Sequence, residues 1–600
     1  MYSFFTLLHI LKIDLYITLH TLLYIINMSV DIENICGNNS LSSKHSNNHK
    51  TRTYTNEEYN IVSFELNKNI ENLKTAEDIT KFQKHIQRSY KISLSKANLI
   101  YFYNSLDIDN LALKRLITKK KSKSNSGVIV VTVLTSGTPE YTDDDGNKVV
   151  GKFSCRHNCA YCPNEKAHEG NNWIDQPRSY LYSEPAVLRA NENKFDPILQ
   201  FNSRIEALIN MGHVVDKLEI IVLGGTWSNY HKNYKDFFIT ATYYAANTYY
   251  EQREMLSLEE EIAINENAKI HIIGLTLETR PDTITLDEIR EFRRYNCTRV
   301  QIGVQHTNND VLKKIKRGHS IEKAHDAIRL LKDNGYKVDI HLMPNLPGSS
   351  YELDKEMLET SLYDERIQVD QYKIYPTAVV PWTQIKEWHE KGEYVPYDDL
   401  LLYELIKEFK KKVQKWKRLN RIIRDIPSTY ISGGYKHEYV NMRQLLQNDM
   451  KKNKWGCNCI RCREIKDTGV KPEDIHLDIV TYPASGGTEY FISYETDKYL
   501  IGFIRLRLAN NVDKNDQLNI LHDAALIREL HVYSNLSDVG NNLEASYQHK
   551  GYGKSLVAEA EKIAKNMGYP KIAIISGTGV RNYYRKLGYT LIDTYMVKTF

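Results

Sequence analysis

Polar and apolar positions along the chain fall into three regimes. From about Glu57 to Ile117, apolar residues recur at three- and four-residue spacings, as in Ile79, Phe82, Ile86 and Tyr90, which predicts helices. Between Gly127 and about Pro381, β-branched apolar runs at 128–134, 218–223, 270–277, 298–303, 337–342 and 371–375 alternate with helical segments. Runs of that length, separated by helices, predict buried parallel strands curved into a partial (β/α) barrel. After residue 475 the pattern changes again, with strands at 490–494, 500–506, 525–533 and 571–575 and one helix from the Gln548 turn to about Met567. That arrangement predicts a separate, mixed α/β unit.

The fold class is therefore α/β multidomain. The expected organisation is a hydrophobic start and linker at 1–55, a basic helical region at 56–125, the barrel at 126–440, a cysteine-rich linker at 441–475 and the mixed unit at 476–600. With 600 residues and 42% apolar content, the chain can build two to four real cores. Residues 1–27 contain fourteen Leu, Ile or Phe, worth roughly 4–8 kcal/mol on an insertion scale, against about 5–7 for Lys12 and Asp14. A membrane anchor, a signal-like segment and a start at Met28 all stay open, and membrane contact is expected only if this segment is real. Residues 31–55 read as linker, with Cys36 alone in it.

A net charge of +5 announces no global affinity for nucleic acid, so such a site must be a local patch. Lys114, Arg115, Lys119, Lys120, Lys121 and Lys123 form one, leading into the first strand, and Arg421, Arg424, Lys436, Arg443, Arg461, Arg463 and Lys466 form another. Contacts of Lys and Arg to phosphates would give salt-dependent affinity without sequence preference. Six of eight cysteines sit in two tight clusters, which argues for metal chemistry in a reducing, cytoplasmic setting over a disulfide framework.

The first cluster, Cys155-Arg-His-Asn-Cys159-Ala-Tyr161-Cys162, follows the first barrel strand. Three thiolates leave one iron of a [4Fe-4S] cube open to a small molecule. The alternative is a structural zinc site closed by His157 or His168. Polar groups cluster after the later strands: Gly224-Gly225-Thr226, Glu278-Thr-Arg280-Pro-Asp282, Gly303-Val-Gln305, Arg317-Gly-His319 and Met343-Pro-Asn345-Leu-Pro347-Gly348. Functional groups of parallel barrels sit at those carboxyl ends. Lys373, at a strand end beside Tyr375, could position substrate or act as proton donor, since burial lowers a lysine pKa. Cys297 reads as a buried apolar residue. The second cluster, Cys457-Asn-Cys459-Ile-Arg-Cys462, reads as a zinc site needing one more ligand, His437 first and His476 second. In the last unit, a Gln548-His549-Lys550-Gly551-Tyr552-Gly553 turn opening a helix presents backbone N–H groups to a pyrophosphate.

The cysteine loop resembles that of radical S-adenosylmethionine (SAM) enzymes. The Gln548 turn, with Asn582-Tyr583-Tyr584 and Gly588-Tyr589, resembles the acetyl-CoA fold of the Gcn5-related N-acetyltransferases (GNAT). Both in this order, with the second cysteine cluster between, resemble the catalytic subunits of the Elongator complex from about Lys119 to Phe600. Agreement extends to Arg424-Asp-Ile-Pro427, Arg528-Glu529-Leu530-His531-Val532-Tyr533 and Tyr595-Met-Val-Lys598. The chain departs where those relatives space the first two cysteines more widely and continue Cys-Pro-Gly-Gly; here the loop reads Cys162-Pro163-Asn164-Glu165.

The resemblance implies a tRNA wobble-uridine C5 carboxymethyltransferase using acetyl-CoA and a SAM-derived radical, with tRNA and other Elongator subunits as partners. Cleaved SAM would yield a deoxyadenosyl radical that takes hydrogen from the acetyl methyl; the carbon radical adds to uracil and the thioester is hydrolysed. Cys155, Cys159 and Cys162 would hold the [4Fe-4S] cluster, and Gly224, Gly225, Thr226, Glu278, Arg280, Gln305 and Arg317 SAM. Acetyl-CoA would meet Glu529, Leu530, His531, Val532, Gln548, His549, Lys550, Gly551, Tyr552, Gly553 and Tyr584. Lys373, Tyr583 and Tyr584 would be catalytic, and Lys119, Lys120, Lys121 and Lys123 would contact tRNA. The alternative is a protein lysine acetyltransferase with a structural barrel, its base His531 or Glu529.

Overall fold

The structure, a computed structural model, describes residues 54–106, 108, 110–118, 127–435, 437–465, 470–509, 512–533 and 551–600. Helices at Asn56–Asn69, Ala76–Tyr90, Lys96–Ser105 and Leu111–Ile117 precede the first strand. Ile79, Phe82 and Ile86 are buried, as their spacing predicts, whereas Tyr90 is partly exposed and donates through its hydroxyl to Glu65.

The barrel strands are β1 (Ile129–Leu134), a small hairpin of β2 (Glu140–Thr142) and β3 (Lys148–Val150), then β4 (Lys217–Leu223), β5 (His271–Thr279), β6 (Arg299–Gln305), β7 (Lys337–Leu342), β8 (Gln371–Ile374) and β9 (Arg418–Arg421). Seven of them form one parallel sheet in the order β1-β4-β5-β6-β7-β8-β9. Helices between the strands cover its outer face, and Val131, Leu218, Ile220, Val300, Ile302, Val338 and Ile340 pack into that core. The other face is polar. Lys217 and Glu219 on β4, Arg299 and Gln301 on β6, Lys337 and His341 on β7, Gln371 and Lys373 on β8, and Arg418 and Asn420 on β9 all line the concave side. Each set has the period of two that a strand imposes. Parallel barrels are ordinarily filled with branched apolar side chains; this polar lumen holds a cavity instead.

The second sheet comprises β10 (His476–Ala484), β11 (Gly487–Glu495), β12 (Leu500–Ala509), β13 (Ala524–Val532), β14 (Lys571–Ile574), β15 (Thr590–Ile592) and β16 (Tyr595–Thr599), in the order β10-β11-β12-β13-β14-β16-β15. Its parallel contact, β13 with β14, runs only from Ala524 to Ile527, because β14 ends at Ile574 while β13 continues to Val532. Opposite that point β12 and β13 slip register between Arg505 and Leu506, leaving Arg528 as the extra residue of a bulge.

Arg528 turns into the seam with the barrel. It donates to Asp370 at 2.7 and 2.8 Å and to Glu489 at 2.5 Å, while Arg507 reaches Asp333 at 2.6 Å and Lys332 reaches Glu489 at 3.2 Å. These side chains are at most 2% exposed. Buried charges survive only when paired and hydrogen-bonded, so the two sheets hold one fixed relation to each other. Among the described residues, no helix is long and apolar enough to cross a membrane. Residues 1–27 lie outside them.

Candidate active site

The cysteine loop is anchored on both sides by backbone bonds: Ala160 N–H donates to Ile315 at 2.9 Å, and Ile385 N–H donates to Ala160 at 3.1 Å. Cys159 is buried, with Cys155 and Cys162 half-buried at the edge of the cavity. Arg280 and Arg317 each bring a guanidinium nitrogen to 3.6 Å from the Cys159 sulfur. Burial alone would raise the Cys159 thiol, but the Arg317 and Arg280 charges outweigh it and pull it below its ordinary value. Both arginines are fixed: Arg280 by Asp282 at 2.8 Å and the Arg317 carbonyl at 2.5 Å, Arg317 by the Gly303 carbonyl at 2.6 Å. Burial, reinforced by Arg317, pushes the neighbouring His319 down to about 4.

Two glycines here are required by space. A Cβ on Gly318, at φ +77°, would stand 2.2 Å from His157 in the cysteine loop, and one on Gly224, at φ +123°, would stand 2.2 Å from Thr135. Gly224 itself stays out of the cavity lining and gives its carbonyl to the Tyr230 hydroxyl at 2.9 Å, whereas Gly225, Thr226, Glu278, Arg280, Gln305 and Arg317 all line the cavity. The Gln305 side-chain oxygen is buried and unpartnered.

Deeper in the lumen, Lys373 Nζ donates to Gln301 at 2.5 Å, and Glu278 accepts from the Tyr180 hydroxyl at 3.1 Å with His341 Nδ1 3.8 Å away. Burial lowers the Lys373 ammonium against the opposition of Asp339 and Glu278, and it raises Glu278 against that of Lys373. Burial, then Lys373, holds His341 well below its usual value, so its ring is neutral at pH 7. His341, on the lining, has its Nε2 buried without a partner, left for whatever fills the lumen; Asp339 Oδ1 is also buried and unpartnered but stays out of the lining. Arg424 clamps the rim through two bonds to Glu184, at 2.7 and 3.0 Å.

At the amino ends of the same strands the second sheet closes the lumen. Arg418 reaches the Tyr533 hydroxyl at 3.2 Å, Lys337 lies 3.9 Å from Glu529, and Arg505 bonds Glu529 at 2.9 Å. Glu529, Leu530, His531, Val532, Gly551, Gly553, Tyr583 and Tyr584 line this end. Burial pushes His531 down to about 4. Gly551, at φ +83°, caps the Tyr552–Asn566 helix, and the Tyr583 hydroxyl would meet a Cβ on Gly553 at 2.8 Å. Tyr552 stands away from the lining and packs on Tyr494. One cavity of about 1170 Å³ thus runs from the cysteine loop to the Gly551 turn, lined by fifteen Arg and Lys side chains against five Asp and Glu.

The chain matches family models of the Radical SAM superfamily over residues 152–360, the Radical_SAM C-terminal domain over 369–452 and the Acetyltransferase (GNAT) family over 461–589. It is 40% identical over 494 residues to the tRNA uridine(34) acetyltransferase of Methanocaldococcus infernus, covering 80% of this chain and 88% of that one. It is 36% identical to Elongator complex protein 3 of Drosophila melanogaster, over 74% of this chain and 79% of the relative. Its fold matches the solved archaeal Methanocaldococcus infernus Elp3 with an N-terminal deletion, with TM-score 0.64 and 37% identity over 79% of this chain and 100% of that one. The chain belongs to the Elongator complex protein 3 family.

A radical SAM domain implies a [4Fe-4S] cluster and SAM, and a GNAT domain implies acetyl-CoA. The chain fits these groups chemically: three free thiols with two guanidinium groups set to hold a thiolate, and a glycine-opened helix start beside the end of β13. The second triad is different in kind. The sulfurs of Cys457, Cys459 and Cys462 lie within 4.8 Å of one another, and Lys410 Nζ stands 3.6 Å from the Cys462 sulfur. His476 is exposed at the start of β10 and does not join the group, and the side chain of His437 lies outside the described residues. So do Lys119, Lys120, Lys121, Lys123, Lys436, Lys466, Gln548, His549 and Lys550. Cys297 is fully buried, its thiol donating to the Arg299 carbonyl at 3.1 Å.

Sequence reasoning passed over the middle of the lumen: Gln301, His341, Gln371 and Asn420, the last donating to Asp339. The signal was present. Lys337-Val-Asp339-Ile-His341-Leu342 alternates polar with apolar through a run otherwise read as buried, and β6 and β8 do the same.

Proposed function

We propose that this protein carries the two-carbon fragment of acetyl-CoA onto carbon 5 of the wobble uridine of tRNA, giving a carboxymethyl group, with other Elongator subunits as partners. The observation that carries the reading is the continuous cavity lined at one end by the cluster loop and at the other by the Gly551 turn. Strands of seven residues span about 20 Å, so a flexible donor arm entering at β13 can present its acetyl end inside the lumen. The name of the Methanocaldococcus relative, tRNA uridine(34) acetyltransferase, supports the substrate and the donor.

In this reading Cys155, Cys159 and Cys162 hold the cluster, which supplies an organic radical from SAM when loaded. Arg280 and Arg317 would neutralise the Cys159 thiolate. Gly225, Thr226, Glu278 and Gln305 surround the space for SAM, with Gly224 setting the turn. Lys373, held by Gln301, keeps a proton at Nζ for the reacting base, and the neutral His341 ring offers a hydrogen bond beside it. Gly551, Gly553, Tyr583 and Tyr584, with Gln548, His549 and Lys550, receive acetyl-CoA, and Lys119, Lys120, Lys121 and Lys123 meet tRNA phosphates. Cys457, Cys459 and Cys462 take zinc, with His437 as the fourth ligand.

Anaerobic reconstitution with iron and sulfide, then SAM, dithionite, acetyl-CoA and tRNA, tests this. Deoxyadenosine that depends on acetyl-CoA, tRNA and Cys162 is expected. An assembled cluster that cleaves no SAM in the complete mixture would overturn the reading.

A further inference from the structure

The residues that follow the last cysteine of the first triad, Pro163-Asn164-Glu165, are built into something. Glu165 is 1% exposed and accepts from Tyr182 N–H at 2.7 Å and Asn171 Nδ2 at 3.2 Å, with the His168 ring at 3.1 Å. Asn164 N–H donates to the carbonyl of Trp382 at 3.1 Å. Trp382, held at φ +59°, stacks on His168 with ring centres 5.2 Å apart and has Tyr430 tilted against it at 6.1 Å. Three rings therefore form a ledge pinned to the residues that follow the last cluster cysteine.

The ledge is open. Trp382 is 38% exposed, and the His168 side chain equally so. An aromatic shelf with no apolar cover is costly unless something stacks on it. It borders the cavity mouth: Val380, two residues before Trp382, and Ile426, four before Tyr430, both line the cavity. Beside it stand Arg178, Arg421 and Arg424 on the lining and exposed Arg156 and Lys166 on the loop; Arg421, Arg424 and Lys166 pair with Asp425, Glu184 and Asp175, which leaves Arg156 and Arg178 as the cations with no carboxylate partner among the described residues. Stacked rings beside guanidinium groups are what a single-stranded nucleic acid needs: faces for bases and cations for the phosphates between them.

We propose that the His168-Trp382-Tyr430 ledge stacks an unpaired base next to the target uridine, so that the flanking nucleotide is gripped outside while the target enters the cavity. The inference rests on the tRNA reading above and adds where the loop docks. Trp382 acts here as a specificity residue, away from the reacting atoms.

The test measures, by fluorescence anisotropy, binding of full-length protein to an anticodon stem-loop RNA and to copies with one base neighbouring the target replaced by an abasic site. Trp382→Ala should weaken binding of the intact stem-loop about tenfold, while Trp382→Phe, which keeps a ring, should stay within about threefold. One abasic copy should cost the wild type a similar factor and cost Trp382→Ala nothing further, a non-additivity that general loosening of the loop would not produce. Retained iron binding by Trp382→Ala shows that the cluster loop is intact. If Trp382→Ala binds the stem-loop like wild type, or loses affinity equally for every abasic copy, the ledge has no such role. If wild type binds neither tRNA nor stem-loop, or prefers a basic-to-acidic series of peptides, the tRNA reading fails with it.

Discussion

Two cysteine triads, each compressed into eight residues or fewer, have opposite surroundings. Cys155, Cys159 and Cys162 sit on a loop at the open end of a polar lumen, with guanidinium groups at Cys159. Cys457, Cys459 and Cys462 have drawn their sulfurs together beside Lys410, and none of them touches the cavity. Spacing announces a metal in both places; access separates them. A triad facing a cavity can hand an open coordination position to a substrate, whereas one packed beneath β9 can only hold the chain together. The same division runs through the protein, with chemistry-bearing groups along the lumen and stabilising charge locked in the seam between the sheets.

The largest effects follow from exchanging the two triads' roles by mutation. Cys162→Ala should reduce deoxyadenosine formation to background with little change in melting temperature, read by chromatography and calorimetry on the same sample. Cys459→Ala should do the reverse, lowering the melting temperature while the iron cluster still assembles. A zinc-selective chelator that leaves iron in place should reproduce the second result in the wild type.

Next comes the seam. Asp370 accepts two bonds from Arg528 with no solvent near, so Asp370→Ala should cost about 3–5 kcal/mol in denaturant unfolding by leaving the buried arginine with Glu489 as its remaining carboxylate partner. Replacing both partners with apolar residues should cost far less.

The smallest effect is acid sensitivity. Burial raises Glu489, but Arg528, Lys332 and Arg507 outweigh it and hold the carboxyl down to about 2, against 4.5 ordinarily. A depressed carboxylate stabilises the fold above its unfolded value. Its contribution, about 3 kcal/mol at most, is lost as pH falls from about 4.5 through about 2. Glu489→Gln should therefore flatten the fall in stability across that window, measured by denaturant titration at each pH.

Much of this architecture was legible in the residues. The six barrel runs and four later strands stand within a few positions of where β-branched patterning puts them, and both triads announce themselves. β9 was not legible, because Arg418-Leu-Asn-Arg421 is short and turns its polar side chains to the lumen. β10 was hidden by exposure on both faces along most of its length. The seam pairs Arg528 with Asp370 and Arg507 with Asp333 across more than 150 positions, and no local pattern carries such a match. The lumen lay between these cases, since its period-two polarity is written in β6 to β8 but is masked by the apolar residues that alternate with it.

In the proposed reaction both halves of the molecule act on one substrate in one cavity. Acetyl-CoA deuterated on its methyl group tests it most directly, in the reconstituted protein with SAM, dithionite and tRNA. Deuterium should appear in the deoxyadenosine and be lost on Cys162→Ala. Deoxyadenosine free of deuterium, or acetyl transfer to a lysine peptide that survives Cys162→Ala, would contradict it.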